Sequence, residues 1–401
     1  MASAGNAHLI LKPGRQKSIL RKHCWIFSGA IKKTIGQPID GDYIDVLDSD
    51  QNYLCSGHYQ NGSICLRVIS YRQDYSEAEA IRENILEAIL LRRRAGFWDD
   101  LLTNAFRLVH GEGDRLPGLI IDYYAGRVVL QPHSFGMLRA AVMIGELLLQ
   151  IPDIGVQSVF VKPKTGNQES DKPFYVGFKG PADDTVVEGG HDFYVNWETG
   201  QKTGFFLDQR DNRALLKELS KDQTVLNTFS YSGGFSVYAL AGGARLVHSV
   251  DASAKAIDWT NKNVEALGEK ANQHQAYVDD VMRFLKQATI DYDIVVLDPP
   301  AYAKNIKSRH RAVQGYKRLN MEGIKKVRPG GLLLTFSCSQ VVDRELFKNT
   351  VLAAALESGR DIRILKSLEQ GGDHPVNIYH QEGAYLKGLL LYVGDSNMNS
   401  V

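Results

Sequence analysis

DIVVLDPP at residues 293–300 and LLLTFSCS at residues 332–339 are two short apolar runs, each delivering reactive groups at its carboxyl end. Brief runs of aliphatic residues bounded by turn formers read as strands of a buried sheet. In an open α/β sheet, ligands sit in the crevice outside the carboxyl ends of the strands, which is where Asp298 and Cys338 fall. A thiolate is a strong, soft nucleophile once its pKa is lowered. An aspartate followed by Pro299 and Pro300 is held in a stiff extended turn. An acid beside such a nucleophile is enough to activate a pyrimidine ring. The alternative for Cys338 is the usual fate of a free cysteine, a small buried hydrophobe.

Outward from these runs, the chain from about residue 186 alternates strand and helix, which predicts a parallel sheet with crossover helices. Its strands are TVLN (224–227), LVHSV (246–250), HQAYV (274–278), DIVVL (293–297) and LLLTF (332–336), followed by a helix near 343–357 and a last strand, KGLLLYV. After TVLN, Gly233 and Gly234 open a helix directly behind a strand, so that a ligand can approach the backbone. No phosphate-binding GxGxxG accompanies them. That omission argues against a dinucleotide and for a ligand without pyrophosphate, such as S-adenosylmethionine. The next strand ends at Asp251, where an acid can accept hydrogen bonds from both ribose hydroxyls. The third ends at Asp279 and Asp280, either of which could accept from an adenine amino group. Each acid alone is as readily a helix N-cap; three successive strand ends carrying acids or glycines make one ligand site the simpler reading.

The remaining chain divides in two. Residues 1–75 hold strand-like runs (HLILK, DYIDVLD, YLCSGHY, ICLRVIS) between turn formers, the pattern of a small β-barrel-like domain. No acid precedes Asp40, and Lys12, Arg15, Lys17, Arg21, Lys22, Lys32 and Lys33 make a one-signed stretch suited to a phosphate backbone or, failing that, a solvated basic face. Residues 76–185 read as a central α+β domain. It opens with a helix over 76–97, whose apolar positions Ile81, Ile85, Leu86, Ile89 and Leu90 recur at helical spacing and whose triple arginine reads as capping and solvation. No chemistry is expected from 106–180. Between Tyr302 and Arg328, nine basic residues including Lys304, Lys307 and Arg309 face one acid, Glu322. They read as a basic loop beside the nucleophile, with Tyr302 as a stacking ring for RNA, or as a solvated amphipathic helix.

The bulk composition narrows the class. At 401 residues the chain exceeds one core. Its 44% hydrophobic and 23% charged content is that of an ordinary globular protein. A net charge of +1 confines any nucleic-acid surface to a local patch. Cysteines 24, 55, 65 and 338 have neither CxxC nor disulfide-framework spacing, so no metal is expected and the cytoplasm is the natural compartment. No stretch approaches the ~18 apolar residues that cross a bilayer, so no membrane partner is expected.

Along the whole chain, the motifs GQKTGFFLDQRDNR (200–213), NTFSYSGGFSVYAL, VDASAKAIDW, DPPAYAK, SCS and DHPVNIYHQEGAYLKGLLL (373–391) resemble the bacterial class I S-adenosylmethionine-dependent 23S rRNA methyltransferases, specifically the large-subunit cytosine-C5 methyltransferase I family. The resemblance implies an N-terminal PUA-type RNA-binding domain (1–75), a central α+β domain (76–185) and a Rossmann-like methyltransferase domain (186–401). It implies that Gly233, Gly234, Asp251 and Asp280 hold the cofactor, with Asp279 as runner-up for adenine and Phe229, Tyr231, Ser232 and Ser253 beside them. Gln209 and Arg210 would close over it. Cys338 would be the nucleophile, and Asp298 would both border the cofactor and steady the ring at N3. The resemblance further implies 23S rRNA or a large-subunit assembly intermediate as partner and suggests a homodimer.

Many other RNA cytosine-C5 enzymes carry a second cysteine after the first proline of the DPP-like motif; here that place is Pro300. The base that removes the C5 proton is therefore open, Asp298 or a water. Two other readings stand beside cytosine-C5 methylation: transfer to a purine nitrogen, for which Cys338 would be dispensable, and a non-catalytic ribosome-binding factor.

Overall fold

A computed structural model describes residues 7–395, apart from positions 99, 167, 168, 170 and 304. The chain divides into two compact units. The first comprises the described residues of Met1–Val186, Val195–Leu207 and Gly372–Gly383; the second comprises those of Val187–Tyr194, Asp208–Gly371 and Ala384–Val401.

The first unit begins with β1 (His8–Leu11), a single-turn helix α1 (Lys17–Leu20), β2 (Trp25–Phe27), β3 (Ile31–Ile35), β4 (Tyr43–Leu47), β5 (Tyr53–Tyr59) and β6 (Ile64–Ser70). They form a six-stranded sheet in the order β2-β6-β5-β4-β1-β3, around a core of Leu9, Leu11, Ile26, Val46, Cys55 and Leu66. β2 and β3 lie outside the expected runs because one is only three residues long and the other, IKKTI, leaves its three middle residues exposed. Neither has the alternation that marks a half-buried strand.

Helix α2 (Glu77–Arg94) follows, started by a capping box in which the Glu79 amide donates to Ser76 Oγ and the Ser76 amide to Glu79. Its buried stripe is narrower than expected. Ile81, Ile85 and Ile89 are buried, whereas Leu86 and Leu90, one position further round the helix each time, are 40% and 48% exposed. The same geometry corrects the reading of the triple arginine. Arg92 lies three residues beyond Ile89, on the buried stripe, and is 0% exposed.

The helix packs with α3 (Phe135–Gln150) in a core shared with β7 (Ala105–His110), β8 (Leu119–Tyr124), β9 (Arg127–Pro132), β10 (Ser158–Val161) and β11 (Phe174–Val176), ordered β11-β10-β9-β8-β7. Within it runs a buried ionic network. Arg92 forks onto both oxygens of Asp114 at 2.5 and 2.8 Å and donates to the carbonyls of Arg107 and Asp373. Arg107 in turn forks onto Asp122 at 2.8 and 3.0 Å. The Arg107 amide donates to the Asp373 carboxylate, so the DHP motif is built into this network.

A two-stranded ribbon, β12 (Asp183–Glu188) and β13 (His191–Asn196), carries the chain between the units. The second unit then alternates α4 (Arg210–Leu219), β14 (Thr224–Thr228), α5 (Gly234–Ala241), β15 (Leu246–Asp251), α6 (Ala254–Glu265), β16 (His274–Val278), α7 (Val281–Gln287), β17 (Tyr292–Leu297), α8 (Arg309–Lys326), β18 (Val327–Ser337), α9 (Arg344–Ser358), β19 (Ile362–Leu368) and β20 (Lys387–Val393). The sheet order is β16-β15-β14-β17-β18-β20-β19. β14 to β18 run parallel, and β20 is antiparallel to both its neighbours. The expected α/β architecture is present, with one strand added. β19 lay outside the expected elements because five of its residues in succession are exposed, which hides its periodicity. Of the two readings of the basic segment after Tyr302, the amphipathic helix holds from Arg309 onward, since Ala312, Tyr316, Leu319, Gly323 and Ile324 give α8 one continuous buried face.

Candidate active site

Strand order reverses between β14 and β17, and such a switch point opens a crevice at the strands' carboxyl ends. Thr228 pairs with Leu297 there, so Phe229 and Asp298 are the next residues out of the sheet. Phe229 and Tyr231 both have positive φ, 54° and 48°, conformations that cost side-chain-bearing residues energy and concentrate at functional sites. The carboxylate of Asp251, ending β15, accepts the Tyr231 amide at 3.0 Å on one oxygen and the Ser253 amide at 2.9 Å on the other. It thereby pins this loop, and each oxygen retains capacity for a further donor.

Gly233 N-caps α5 at φ 78°. A Cβ on it would come within 2.8 Å of the Thr260 methyl, and one on Gly234 within 3.0 Å of the Arg213 side chain. Close packing against α6, with the positive φ, demands glycine at 233, and the Arg213 side chain of α4 leaves little room for a Cβ at 234. Ser232 accepts Asn263 Nδ2 on its carbonyl, and Ser253 caps α6.

Asp251 pairs with Val278, which places Asp279 and Asp280, the acids that follow β16, beside it. Asp280 caps α7 through the Arg283 amide at 2.9 Å, leaving its other oxygen without a hydrogen bond among the described residues. Asp279 is ion-paired with the Arg283 guanidinium. Gln209 and Arg210 are buried at the start of α4; Gln209 Oε1 accepts from Asn212 Nδ2 at 2.6 Å, and Arg210 Nε stands 3.4 Å from Glu188. Glu188, which sequence reasoning missed, is fully buried, receives a two-point Arg213 fork and accepts from Tyr238 Oη. Burial, with Glu188 beside it as the next cause, holds the Tyr238 phenol far above its usual range.

The two opening motifs meet. Cys338 Sγ lies 4.0 Å from the Pro299 carbonyl oxygen, next to Asp298, at the ends of β17 and β18. Cys338 is partly exposed, whereas Cys24, Cys55 and Cys65 are buried. Burial pushes the thiol of Cys24 up to about 12 and raises Cys55 and Cys65 as well. The SCS turn is braced from beneath: Ser339 Oγ receives the Ala303 amide at 3.3 Å and lies 2.9 Å from Tyr316 Oη. Lys387, buried on β20, donates to the Ser339 carbonyl at 2.8 Å. Nothing in its local pattern, a lysine opening an apolar strand, distinguishes it from a solvated edge residue.

Of the residues expected to face RNA, Lys12, Arg15, Lys17, Arg21, Lys22, Lys307 and Arg309 are exposed, and Lys304 lies outside the described residues. Lys12 Nζ donates to the Gly29 carbonyl and Lys22 Nζ sits 4.1 Å over the Tyr71 ring. Tyr302 is less available for stacking than expected, because its ring lies 4.6 Å from that of Tyr316. One grouping with metal-ligating atoms occurs among the described residues, His23, His380 and Glu382, within 4.8 Å of one another; His23 Nδ1 is engaged there by the Trp25 backbone. No described helix is long and apolar enough to cross a membrane.

Residues 178–390 match the family model of S-adenosylmethionine-dependent methyltransferases, and residues 9–71 match that of PUA-like domains. A ribosomal RNA large subunit methyltransferase I of Alteromonas mediterranea is 40% identical over 399 residues, 97% of this chain and 100% of its own. The protein of the same name from Pseudoalteromonas translucida is 39% identical, with 96% and 98% covered. Among solved structures, a candidate S-adenosylmethionine-dependent methyltransferase from Streptococcus mutans superposes with a TM-score of 0.83 at 22% identity, over 96% of this chain and 100% of that one. A candidate methyltransferase complexed with SAH superposes at 0.84, also at 22% identity and with the same coverage.

Proposed function

This chain belongs to the ribosomal RNA large subunit methyltransferase I family of S-adenosylmethionine-dependent methyltransferases, and from that premise we propose that it forms 5-methylcytidine in 23S rRNA through a covalent Cys338 adduct. The observation that carries the reading is the approach of Cys338 Sγ to the DPP turn, 4.0 Å from the Pro299 carbonyl. We propose 1–75, 76–185 and 186–401 as the domains, the first contacting RNA through its exposed cations.

Cytosine C5 is a weak nucleophile. Addition of the Cys338 thiolate at C6 forms a C–S bond and pushes the ring electrons toward C5, with Asp298 as the hydrogen-bonding partner at N3. S-adenosylmethionine, when bound, supplies the electrophilic methyl group. Asp298 or a water then takes the C5 proton, and β-elimination expels the thiolate and restores the aromatic ring. The target base must leave its stack to reach the thiol, so a flipped or single-stranded nucleotide is the expected substrate.

A ring that cannot lose its C5 substituent tests this directly. RNA carrying 5-fluorocytidine should trap the wild-type enzyme as a complex stable to denaturing electrophoresis, and Cys338→Ala should trap none. Equal trapping by the variant would reject Cys338 as the attacking group.

The chain's residues fit an adenosine-bearing cofactor: the strained loop from Phe229 to Gly233 is tied to the strand end that carries Asp251, and Asp280 keeps one oxygen without a hydrogen bond among the described residues. Asp251 would take the ribose hydroxyls. Hydrogen bonds to a charged group contribute about 1.5–3 kcal/mol each. Asp251→Ala should therefore weaken S-adenosylmethionine binding by more than about tenfold in a calorimetric titration while sparing RNA affinity. Equal losses of both affinities would mean the ribose assignment is wrong.

A further inference from the structure

Lys387 opens β20 directly opposite Ser337, the last residue of β18 and the neighbour of Cys338. Its side chain is 4% exposed, and its ammonium reaches beneath the turn that carries the thiol, to the carbonyl of Ser339 at 2.8 Å. That is its one hydrogen bond among the described residues, and no carboxylate lies within ion-pair distance. Asp343, the nearest acid in sequence to the turn, spends an oxygen capping α9 through the Leu346 amide at 2.8 Å. A buried ammonium with one carbonyl partner and no carboxylate is costly unless another anion compensates it.

We propose that this anion is the Cys338 thiolate: Lys387 is the positioning residue whose charge keeps the nucleophile ionised between turnovers. The inference rests on the reading of Cys338 as nucleophile and adds the means of its activation. The electrostatics agree. Burial lowers the Lys387 pKa to about 8, the Cys338 sulfur is the strongest influence opposing that fall, and Asp343 opposes it more weakly while Arg344 reinforces it. At pH 7 the amine thus remains predominantly protonated. An attraction that raises the cation's affinity for its proton lowers the thiol's by the same coupling.

The test is alkylation of the full-length protein with iodoacetamide between about pH 5.5 and 9.5, following the rate at the Cys338 peptide by mass spectrometry. In that reaction the thiolate sulfur displaces iodide, so the pH midpoint reports thiolate formation. The wild-type midpoint should fall below the free-thiol value of about 8.5. Lys387→Met should raise it by about one unit or more, a tenfold slower reaction at neutral pH, and Lys387→Arg should restore it. Coincident wild-type and Lys387→Met profiles would overturn the pairing. Should Lys387→Met not fold, a wild-type midpoint at or above about 8.5 overturns it alone. The two readings fail separately. If Cys338→Ala still forms 5-methylcytidine while Lys387→Met shifts the alkylation profile, the nucleophile assignment falls and the ion pair stands. If Cys338 is indispensable and the profiles coincide, only the pair falls.

Discussion

Cys338→Ala is expected to abolish 5-methylcytidine formation. When 23S rRNA from a strain lacking the gene is incubated with labelled S-adenosylmethionine and each protein, nucleoside mass spectrometry should find the new modification with wild type alone. The effect should be large because the thiol does more than accelerate transfer. Without addition at C6, C5 is too weak a nucleophile to take the methyl group, and neither Asp298 nor a neighbouring serine supplies an equivalent attacking group. The loss should fall on kcat, at roughly a thousandfold or more, with cofactor affinity unchanged, since the residues proposed to hold the cofactor at the ends of β14, β15 and β16 lie on other strands than the SCS turn. A methylated purine, or 5-methylcytidine persisting in the variant, would reject the covalent mechanism and favour nitrogen methylation.

The second large effect concerns the first unit's core. Asp114→Ala leaves Arg92 with its charge, 0% exposure and no carboxylate. Breaking one side of a buried ion pair costs about 3–5 kcal/mol. The carboxylate also accepts the His110 amide at 2.6 Å, so that donor loses its partner too. Thermal unfolding followed by far-UV circular dichroism should show a fall in Tm on the order of 10 °C. The double variant Arg92→Met with Asp114→Leu should lose less than the single one, because no orphaned charge remains. A single variant as stable as wild type would mean water or another group compensates Arg92.

These sites differ in how far the sequence announced them. The parallel strands β14 to β18 were legible because each is a short buried run bounded by turn formers, and strand ends carry their reactive residues at fixed places. That logic singled out Asp251, Asp298 and Cys338 as candidates, together with the pair Asp279 and Asp280, between which only the family resemblance chose. Arg92, Glu188 and Lys387 were not, because their roles depend on partners that only the fold supplies. Arg92 sits in a run of three arginines whose other two members are at least partly exposed. Lys387 heads a strand in a position where most lysines face water. The glycines after β14 were singled out for ligand approach, while the observed contacts give another reason for them, close packing against α6 and α4.

The inclusion of Gly372–Gly383 in the first compact unit has a consequence for the order of synthesis. The Arg107 amide finds its acceptor, Asp373, 266 residues later in the chain. At about 5–20 residues per second, that interval is on the order of 10–50 s. During it, the amino-terminal unit emerges with its interior incomplete and cannot reach its final stability, however early its strands pair. A polypeptide whose translation stops short of this segment therefore carries a weakened amino-terminal half, open to proteolysis. Loss of the last thirty residues or so would be felt at the opposite end of the gene product.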